Sequence, residues 1–457
     1  MSTHLHRQCL QYFDEWYRRG KNRKPLLIRG ARQIGKTTAV RIFAEQAGLE
    51  LIELNMEKVW SFTSQIDTNN PRKLIEAIEF ELNKDIKPEK SLLFFDEVQA
   101  IPHLLGILRY FYEEMADIAV IATGSLLEFT LAEPDFSLPV GRIELYHMGP
   151  FSFEEFISAL DNKRALAFIN NFSLDKVIPD VIHQQLNKLV RLYTIIGGMP
   201  EAIAIYRESG SLREVERIKS NIIETFILDF NKYKGKINTA LLRKVFDSLP
   251  AQLGKKVIYS HIDPHVRAKD VSSAVEQLCL AKVLSRVFHS SANGIPLAAE
   301  KNERYFKPLL LDIGLLLTQL RLNPMETENA EDLNLVNRGT LAEQFIGQQL
   351  FHLYPPYRDP ELYYWTRESR ASSAEVDYLI ADGQGRIIPI EVKSGKTGSL
   401  RSLQTITKEK GLSLAIRFNS DKPSIFNEKR ITPKGEVKYQ LLSLPHYLVQ
   451  QVERLLP

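Results

Sequence analysis

Cysteine is nearly absent from this sequence, since Cys9 and Cys279 are the only two in 457 residues. The two stand far apart and outside any ligand pattern that a structural zinc site requires. A disulfide framework is excluded for the same reason. This scarcity fits a reducing compartment, and we expect a cytoplasmic protein.

Long hydrophobic runs are also missing. The most apolar stretch, PLLLDIGLLLTQL at residues 308–320, is too short to span a bilayer and contains Asp312. The first 25 residues lack the apolar core of a signal peptide. We therefore expect no membrane segment.

Neither sign of charge dominates, with 59 basic and 56 acidic side chains and a formal net charge of +3. This balance leaves nucleic acid open as a partner, because a local basic face is compatible with a neutral total. Hydrophobic residues make up 44% and charged residues 25%, as in ordinary globular proteins. The length allows two to four domains, each with its own core.

The order of apolar segments predicts an α/β protein that changes character along the chain. Strands that are apolar on both faces alternate with helices over residues 20–125, which is typical of a parallel sheet covered on both sides. Helical patterns dominate from about residue 150. A helix, RGTLAEQFIGQQLFHLY, then opens a last part rich in strand patterns. We divide the chain into domains at 1–150, 151–240, 241–306 and 307–457.

The segment from Gly30 to Thr37 matches the phosphate-binding pattern G-x-x-x-x-G-K-[ST] in full, between a predicted strand and a predicted helix. Backbone amides of such a loop and of the helix N-terminus surround nucleotide phosphates. We predict an ATP site formed by the following residues: Gly30, Ala31, Arg32, Gln33, Ile34, Gly35, Lys36, Thr37 and Thr38. Lys36 is the candidate partner of the β- and γ-phosphates, and the Thr37 hydroxyl is a candidate Mg²⁺ ligand.

A second motif, LLFFDE, places two acids at the end of an apolar strand. Asp96 is the predicted second partner of Mg²⁺, and Glu97 is the predicted base for the attacking water. Thr123 and Ser125, at the tip of the strand AVIATGS, are candidate sensors of the γ-phosphate, although a simple turn explains them too. Arg142 is a candidate for neutralising transition-state charge in its own or a neighbouring subunit, with a surface ion pair as the alternative.

The amino-acid sequences of several motifs resemble those of one family. The segments GARQIGKTT, LFFDEVQ, ATGSLL, PVGRIEL, GPFSFEEF and GGMPEA are together similar to a large family of prokaryotic AAA+-related P-loop ATPases. The resemblance covers residues from about 20 to 395. It implies an AAA+-type ATPase core, a winged-helix-like middle region and a C-terminal domain of unknown function, and it leaves ring formation or another homo-oligomer open.

The stretch AEVDYLIADGQGRIIPIEVKSG carries a second group of polar residues on a predicted hairpin. Glu391 and Lys393 are two apart on a strand and project to one face. Closure of the hairpin brings Asp377 toward Glu391, so that both become candidate ligands of a second Mg²⁺ or Mn²⁺ ion. Lys393 is then placed to position a nucleophile, and Glu343 on the preceding helix is a candidate third carboxylate.

The spacing Asp-x(13)-Glu-x-Lys after such a helix resembles the nuclease superfamily with the restriction-endonuclease-like fold. The proline often found before the aspartate is replaced here by Glu375-Val376. Surface ion pairing explains a Glu and a Lys two apart on a strand equally simply. Arg367 and Arg370, in the loop that follows the strand LYYWTR, are candidate contacts to a phosphate backbone or ordinary solvated residues.

Residues 241–306 outline a winged helix, with residues 269–287 as its last helix and HSSANG as the wing tip. Lys255, Lys256, Arg267 and Lys269 gather near the start of that helix, which suits contact with phosphate groups. Packing against the ATPase is the competing interpretation of the module.

Two functions follow from these patterns. The first is an ATPase that couples ATP hydrolysis to a metal-dependent nuclease-like domain acting on nucleic acid, for which we expect DNA. The second is a nucleotide-switched regulatory or binding ATPase whose C-terminal domain is catalytically inactive. The pair Asp96-Glu97 favours water over another acceptor, which argues against a kinase.

Overall fold

A computed structural model of the protein describes residues 5–58, 60, 70–133, 141–232, 238–322, 338–367, 374–395, 399–432 and 435–457. Two β-sheets organise these residues. The first has five strands in the order β2-β3-β4-β1-β5, and the second has eight in the order β12-β13-β11-β10-β9-β8-β6-β7. The predicted α/β class is confirmed.

The five strands of the first sheet are parallel throughout. They are β1 (Leu26–Arg29), β2 (Glu50–Asn55), β3 (Ser91–Asp96), β4 (Ala119–Gly124) and β5 (Glu144–His147). Five helices accompany them: α1 (Gln8–Arg18), α2 (Lys36–Ala47), α3 (Pro71–Leu82), α4 (His103–Glu114) and α5 (Leu127–Leu131).

Alternation along these strands divides the apolar side chains between two layers. Leu26 and Ile28 of β1 belong to the same core as α1 and α2, whereas Leu27 between them belongs to the core under α3 and α4. β3 is buried along its whole length. Both faces of the sheet are therefore covered, as the continuous apolar runs predict.

The middle of the chain is helical. Its helices are α6 (Phe153–Ala159), α7 (Lys163–Asn171), α8 (Asp180–Ile196), α9 (Pro200–Ser209), α10 (Leu212–Asp229), α11 (Thr239–Ser248), α12 (Tyr259–Ile262) and α13 (Ala268–Leu280). Among the described residues, no single helix is long and apolar enough to cross a membrane. Only α8 and α9 taken together have the required length and apolar composition, and the two helices are bent by 118° where they meet.

The second sheet is mixed and contains two strands that we had assigned to the middle region. Its strands are β6 (Leu284–Ser290), β7 (Lys301–Leu310), β8 (Tyr363–Thr366), β9 (Glu375–Ala381), β10 (Ile387–Val392), β11 (Leu414–Asn419), β12 (Ser424–Thr432) and β13 (Gly435–Pro445). The helices of this part are α14 (Ile313–Gln319), α15 (Arg338–Leu350), α16 (Arg401–Lys410) and α17 (Val452–Leu455).

The predicted boundary between residues 306 and 307 falls inside a strand. β6 and β7 form an antiparallel hairpin, and β6 also pairs in parallel with β8, so the hairpin is continuous with the C-terminal sheet. Sequence alternation identifies a hairpin but does not tell which sheet it joins. Three helices and a hairpin do follow each other here, and the winged-helix assignment itself stays a prediction.

The predicted helix over residues 269–287 is too long. α13 ends at Leu280, and Lys282 takes a left-handed conformation with φ 57° before β6 begins at Leu284. A residue other than glycine in that conformation leaves no stop signal in the sequence, and the apolar spacing simply continues into the strand.

Candidate functional sites

The phosphate loop lies between β1 and α2, as predicted. Gly30 has φ 148°, and a Cβ there would lie 2.2 Å from the backbone oxygen of Met148. Gly35 has φ 88°, and a Cβ there would lie 3.3 Å from Cγ of Pro200. Both positions therefore require glycine for their backbone conformation, and both are in close contact with neighbouring segments.

Lys36 is nearly buried and turned onto the loop. Its Nζ donates hydrogen bonds to the backbone oxygens of Gly30 (3.0 Å) and Ala31 (2.8 Å). Burial lowers the pKa of the Lys36 ammonium to about 8, while the charges of Glu97 and Asp96 oppose that shift. The side chain is thus mostly cationic at neutral pH and lies at the loop that would hold phosphates.

Asp96 links the loop to β4. Thr37 Oγ1 donates to Asp96 Oδ2 at 2.9 Å, and Thr123 Oγ1 donates to Asp96 Oδ1. A hydroxyl and a carboxylate in direct contact at the foot of a phosphate loop are the oxygen donors that Mg²⁺ prefers. The two predicted Mg²⁺ partners, Thr37 and Asp96, and the candidate sensor Thr123 thus lie together.

Glu97 takes a left-handed conformation with φ 52° directly after β3. Its Oε2 accepts hydrogen bonds from Ser125 N (3.1 Å), Ser125 Oγ (2.9 Å) and Gln99 Nε2 (2.7 Å). Burial alone would raise the pKa of Glu97, but these donors and the charge of Lys36 outweigh burial and hold it below its usual range. The carboxylate is therefore ionised and fixed, as a base for water requires.

Arg142 does not reach the phosphate loop of its own subunit. Arg29, at the loop end of β1, pairs with His147, whereas Leu26 at the other end pairs with Glu144. Arg142 precedes Glu144 and so lies at the opposite edge of the sheet, more than about 10 Å of strand from the loop. It pairs there with Glu113 at 2.7 Å and is half exposed. Its role in a neighbour's site stays a prediction.

Two arginines hold the loop in place: the buried Arg7, which the sequence reasoning missed, and the partly buried Arg32 of the loop itself. Arg7 Nη1 donates to the backbone oxygen of Ile34 at 2.8 Å, and its Nη2 donates to that of Gly149 at 2.9 Å. Arg32, within the loop, forms an ion pair with the buried Asp229 at the end of α10. An isolated arginine seven residues from the start carries no motif, so only the fold reveals this contact.

The remaining residues of the phosphate loop differ in burial. Ala31 and Ile34 are buried in the core beneath the loop, whereas Gln33 (φ 64°) and Thr38 are exposed. Exposed side chains at these two positions leave the backbone amides of the loop as its phosphate-binding surface.

The C-terminal candidates also converge. Val392 N donates to Asp377 Oδ2 at 2.7 Å across the hairpin, and Lys393 Nζ donates to Glu391 Oε1. Tyr378 OH donates to the backbone oxygen of Glu343 at 2.9 Å, which ties α15 to β9. The predicted grouping of Glu343, Asp377, Glu391 and Lys393 is therefore observed.

A lysine that the sequence reasoning missed lies among these acids. Lys307 of β7 is 1% exposed, and its Nζ lies 2.5 Å from Glu375 Oε1, 3.1 Å from Glu343 Oε1 and 3.8 Å from Asp377 Oδ1. The Nζ atom of Lys307 also lies over the ring of Tyr364, 5.2 Å from the ring centroid. One signal was available: a single charge inside the apolar stretch YFKPLLL, residues 305–311.

These charges shift each other's protonation. Burial alone would lower the pKa of Lys307, but the carboxylates of Glu343, Asp377 and Glu375 outweigh it and raise that pKa. Burial raises the pKa of Glu343, against the attraction of Lys307. Burial and the charge of Asp377 raise the pKa of Glu391 to about 7, against Lys393. The second predicted metal does not fit this arrangement, because the Lys307 ammonium lies among the carboxylates. Among the described residues, no three His, Cys, Asp or Glu side chains are placed so that they could hold a metal ion.

Arg367 forms an ion pair with Glu409 at 2.5 Å, and Arg370 lies outside the described residues. Lys256 covers the ring of Tyr305 at 3.0 Å from the centroid, and Arg267 pairs with Asp270 at 3.0 Å. Contact of these cations, or of Lys255 and Lys269, with nucleic acid stays a prediction.

Comparison with protein families identifies the first of these sites. Residues 22–157 match the family model described as an AAA domain. The N-terminal part of this chain is therefore similar to AAA domains. The matched residues contain the loop, both acids and both sensor candidates, whereas residues 187–326 and 338–439 match two domains of unknown function, DUF8612 and DUF4143.

No curated protein matches the chain. Among solved structures, the Walker-type ATPase PABY2304 of Pyrococcus abyssi aligns at 14% identity with a TM-score of 0.44, over 69% of this chain and 96% of its own. The RuvB Holliday junction branch migration motor of Thermotoga maritima aligns at 14% identity with a TM-score of 0.29, over 62% and 90%. Scores this low carry no argument for the present chain.

Proposed function

We propose that the chain binds and hydrolyses ATP and uses the nucleotide state to act on its C-terminal part. The carrying observation is the hydrogen-bonded set Thr37–Asp96–Thr123 beside the fixed carboxylate of Glu97. In this proposal the loop amides and Lys36 bind the phosphates, and Thr37 and Asp96 hold Mg²⁺. When bound, that ion neutralises phosphate charge.

Glu97 is the residue that we assign to orienting and deprotonating the attacking water. Its hydrogen bonds from Ser125 and Gln99 keep the carboxylate in one place and ionised, so the step needs no rearrangement of the base within the free protein. Thr123 and Ser125 touch the two acids directly, which supports a role in reporting on the γ-phosphate.

Equilibrium ATP binding tests the site. Lys36→Ala removes the cation at the loop, and we predict a loss of ATP affinity of at least about tenfold together with loss of turnover, since a charge-assisted contact contributes roughly 1.5–3 kcal/mol. Lys21→Ala, an exposed lysine before β1, is the control and should bind ATP normally. Equal ATP affinity of Lys36→Ala and the wild type would refute the assignment.

In this proposal the turn Gly197–Pro200 connects the phosphate loop to the C-terminal part. Pro200 contacts the phosphate loop at Gly35, and Gly198 N donates to Asp312 Oδ2 at 2.6 Å. Asp312 follows β7, which carries Lys307 five residues earlier. The central acids are balanced by lysines, so we favour a regulatory or binding ATPase whose C-terminal domain is not a catalyst.

A nuclease centre is the second candidate, and one observation favours it. Asp377, Glu391, Lys393 and Glu343 meet at one place, and a Cβ on Gly254 would lie 2.9 Å from Glu343 Oε2, so Lys255 and Lys256 follow directly beside the acids. DNA is the proposed substrate, because a basic segment next to an acidic centre suits a phosphate backbone.

A cleavage assay decides between the two candidates. Purified protein is incubated with single-stranded, double-stranded and branched DNA and RNA, in Mg²⁺ or Mn²⁺, with and without ATP, beside Asp377→Ala. Metal-dependent cleavage that Asp377→Ala abolishes would establish the nuclease. Intact ATP hydrolysis without cleavage is what the regulatory ATPase predicts.

A further inference from the structure

The acidic cluster of the C-terminal sheet consists of Glu343, Glu375, Asp377 and Glu391. These side chains come from α15, β9 and β10, and Lys393, directly after β10, pairs with Glu391 at one side of the cluster. Glu391 is buried and the other three are partly exposed. Four carboxylates gathered in this way repel each other unless a cation lies among them.

That cation is supplied by a different strand. β7 inserts Lys307 so that its ammonium faces Glu343, Glu375 and Asp377 at 2.5 to 3.8 Å, with Tyr364 behind it. The side chain is 1% exposed, which excludes the solvated surface pairing that usually explains a lysine near acids. Two of the ammonium donors are within hydrogen-bond distance of Glu343 and Glu375, and Asp377 adds charge attraction at 3.8 Å.

Glu391 leaves one oxygen of the cluster without a donor. Its side chain is 6% exposed, and its Oε2 is buried without a hydrogen-bond donor among the described residues, while Oε1 is bound by Lys393. A buried carboxylate oxygen without a donor is unusual in proteins. The neighbouring Val392 donates its N–H to Asp377 Oδ2, so this oxygen belongs to the same group of acids, and hard divalent cations prefer such oxygen ligands.

We propose that Lys307 is a built-in counter-ion that occupies the cation position of this cluster and keeps divalent metal out. The acids of the cluster are then of the kind that bind a divalent metal ion, and the Lys307 ammonium takes the place of that ion. The inference does not depend on ATP hydrolysis, because β7, β9, β10 and α15 form the cluster without any residue of the phosphate loop.

Mn²⁺ titration of the nucleotide-free full chain, followed by the paramagnetic resonance of free Mn²⁺, tests this. The quantity compared is Asp377-dependent binding, which subtracts any Mn²⁺ held at Thr37 and Asp96. We expect wild type and Asp377→Asn to bind Mn²⁺ alike. Lys307→Gln should gain one Mn²⁺ site per chain, with an affinity at least about tenfold higher than that of any Asp377-dependent binding by the wild type. The double variant Lys307→Gln/Asp377→Asn should lose this site.

Lys301→Gln is the matched control. Lys301 lies on the same strand but pairs with Glu303 and Glu361 outside the cluster, so its removal should leave Mn²⁺ binding as in the wild type. If Lys307→Gln does not fold, as judged by circular dichroism and ATP binding, Lys307→Met replaces it. Asp377-dependent Mn²⁺ binding by the wild type, or a folded Lys307 variant that gains no site, would overturn the proposal.

Discussion

At the scale of single residues, the ATP site shows how far a motif determines geometry. Thr37, Asp96, Glu97, Thr123 and Ser125 were named from three separate segments, and they form one hydrogen-bonded set. The carboxyl ends of parallel strands meet at one edge, which makes this convergence predictable.

Lys307 and Arg7 mark the limit of such prediction. Each is a single charged residue in an otherwise unremarkable segment, and each binds groups more than 25 positions away in the sequence. Contacts of that kind depend on how elements pack, so no local spacing announces them. The lone charge in the stretch YFKPLLL indicates only that Lys307 has some buried partner.

Protonation of Glu391 gives a residue-scale prediction. Its pKa is raised from 4.5 to about 7, so the protonated form is favoured in the folded state and this stabilising contribution is lost as the pH rises from 4.5 through 7. Glu391→Gln should therefore gain stability relative to the wild type between pH 5 and 8, by about 2–3 kcal/mol. Urea unfolding at both pH values measures it.

Glu208→Gln, at the exposed end of α9, is the control for that comparison. The free-energy difference between Glu208→Gln and the wild type should stay constant over the same pH range. An unfolding free energy of Glu391→Gln that falls relative to the wild type as the pH rises would show that the sign is wrong.

At the scale of elements, the sequence predicted the first sheet better than the second. Runs such as LLFFDE and AVIATGS are apolar throughout and end in polar motifs, so both their type and their place follow from pattern. The four-residue β5 and the edge strand β12 were not recognised, because short or half-exposed strands have little periodicity to detect.

Two glutamines of α15 hold this helix against β7 and the start of α14. Gln344 exchanges hydrogen bonds with the backbone of Leu310, and Gln348 accepts from Ile313 N at 2.9 Å. Lys307 and Glu343 therefore meet near one end of this packed pair, and Gln348 bonds Asp312, just beyond β7, near the other.

Asp312 gives the element-scale prediction. It is fully buried and accepts hydrogen bonds from Gly198 N (2.6 Å), Leu315 N (3.0 Å) and Gln348 Nε2 (3.2 Å). Asp312→Ala leaves the buried N–H groups of Gly198 and Leu315 without an acceptor, while Gln348 Nε2 keeps Tyr193 OH; the unfolding free energy should fall by about 3–5 kcal/mol. Denaturant unfolding measures the loss, with Asp421→Ala in the half-exposed turn before β12 as control. A loss under about 1 kcal/mol would contradict the assigned role of the turn.

At the scale of the whole molecule, one hydrophobic core runs from α1 to the last helix, so the predicted domains are packed together and not strung on linkers. The sequence does not reveal this packing between the four predicted parts, because side chains buried between two parts show the same apolar pattern as side chains buried within one part. The sharing of one sheet by β6, β7 and the C-terminal strands follows the same logic.

Arg142 yields a prediction about assembly. It lies at the sheet edge opposite the phosphate loop, so we propose that it serves a neighbouring subunit in a homo-oligomer. Arg142→Ala and Lys36→Ala should each be inactive alone, and their mixture should recover part of the ATP hydrolysis, because some shared sites then contain both residues. No recovery in a mixture that forms hetero-oligomers would contradict this placement.

The central claim is that Glu97 activates water at the ATP site. The most direct test is ATP hydrolysis by Glu97→Gln under conditions in which bound nucleotide is measured alongside phosphate release. We predict ATP affinity within about threefold of the wild type and a turnover number at least about 100-fold lower, since general-base catalysis contributes roughly 10²–10⁴-fold. Hydrolysis at the wild-type rate would contradict the account.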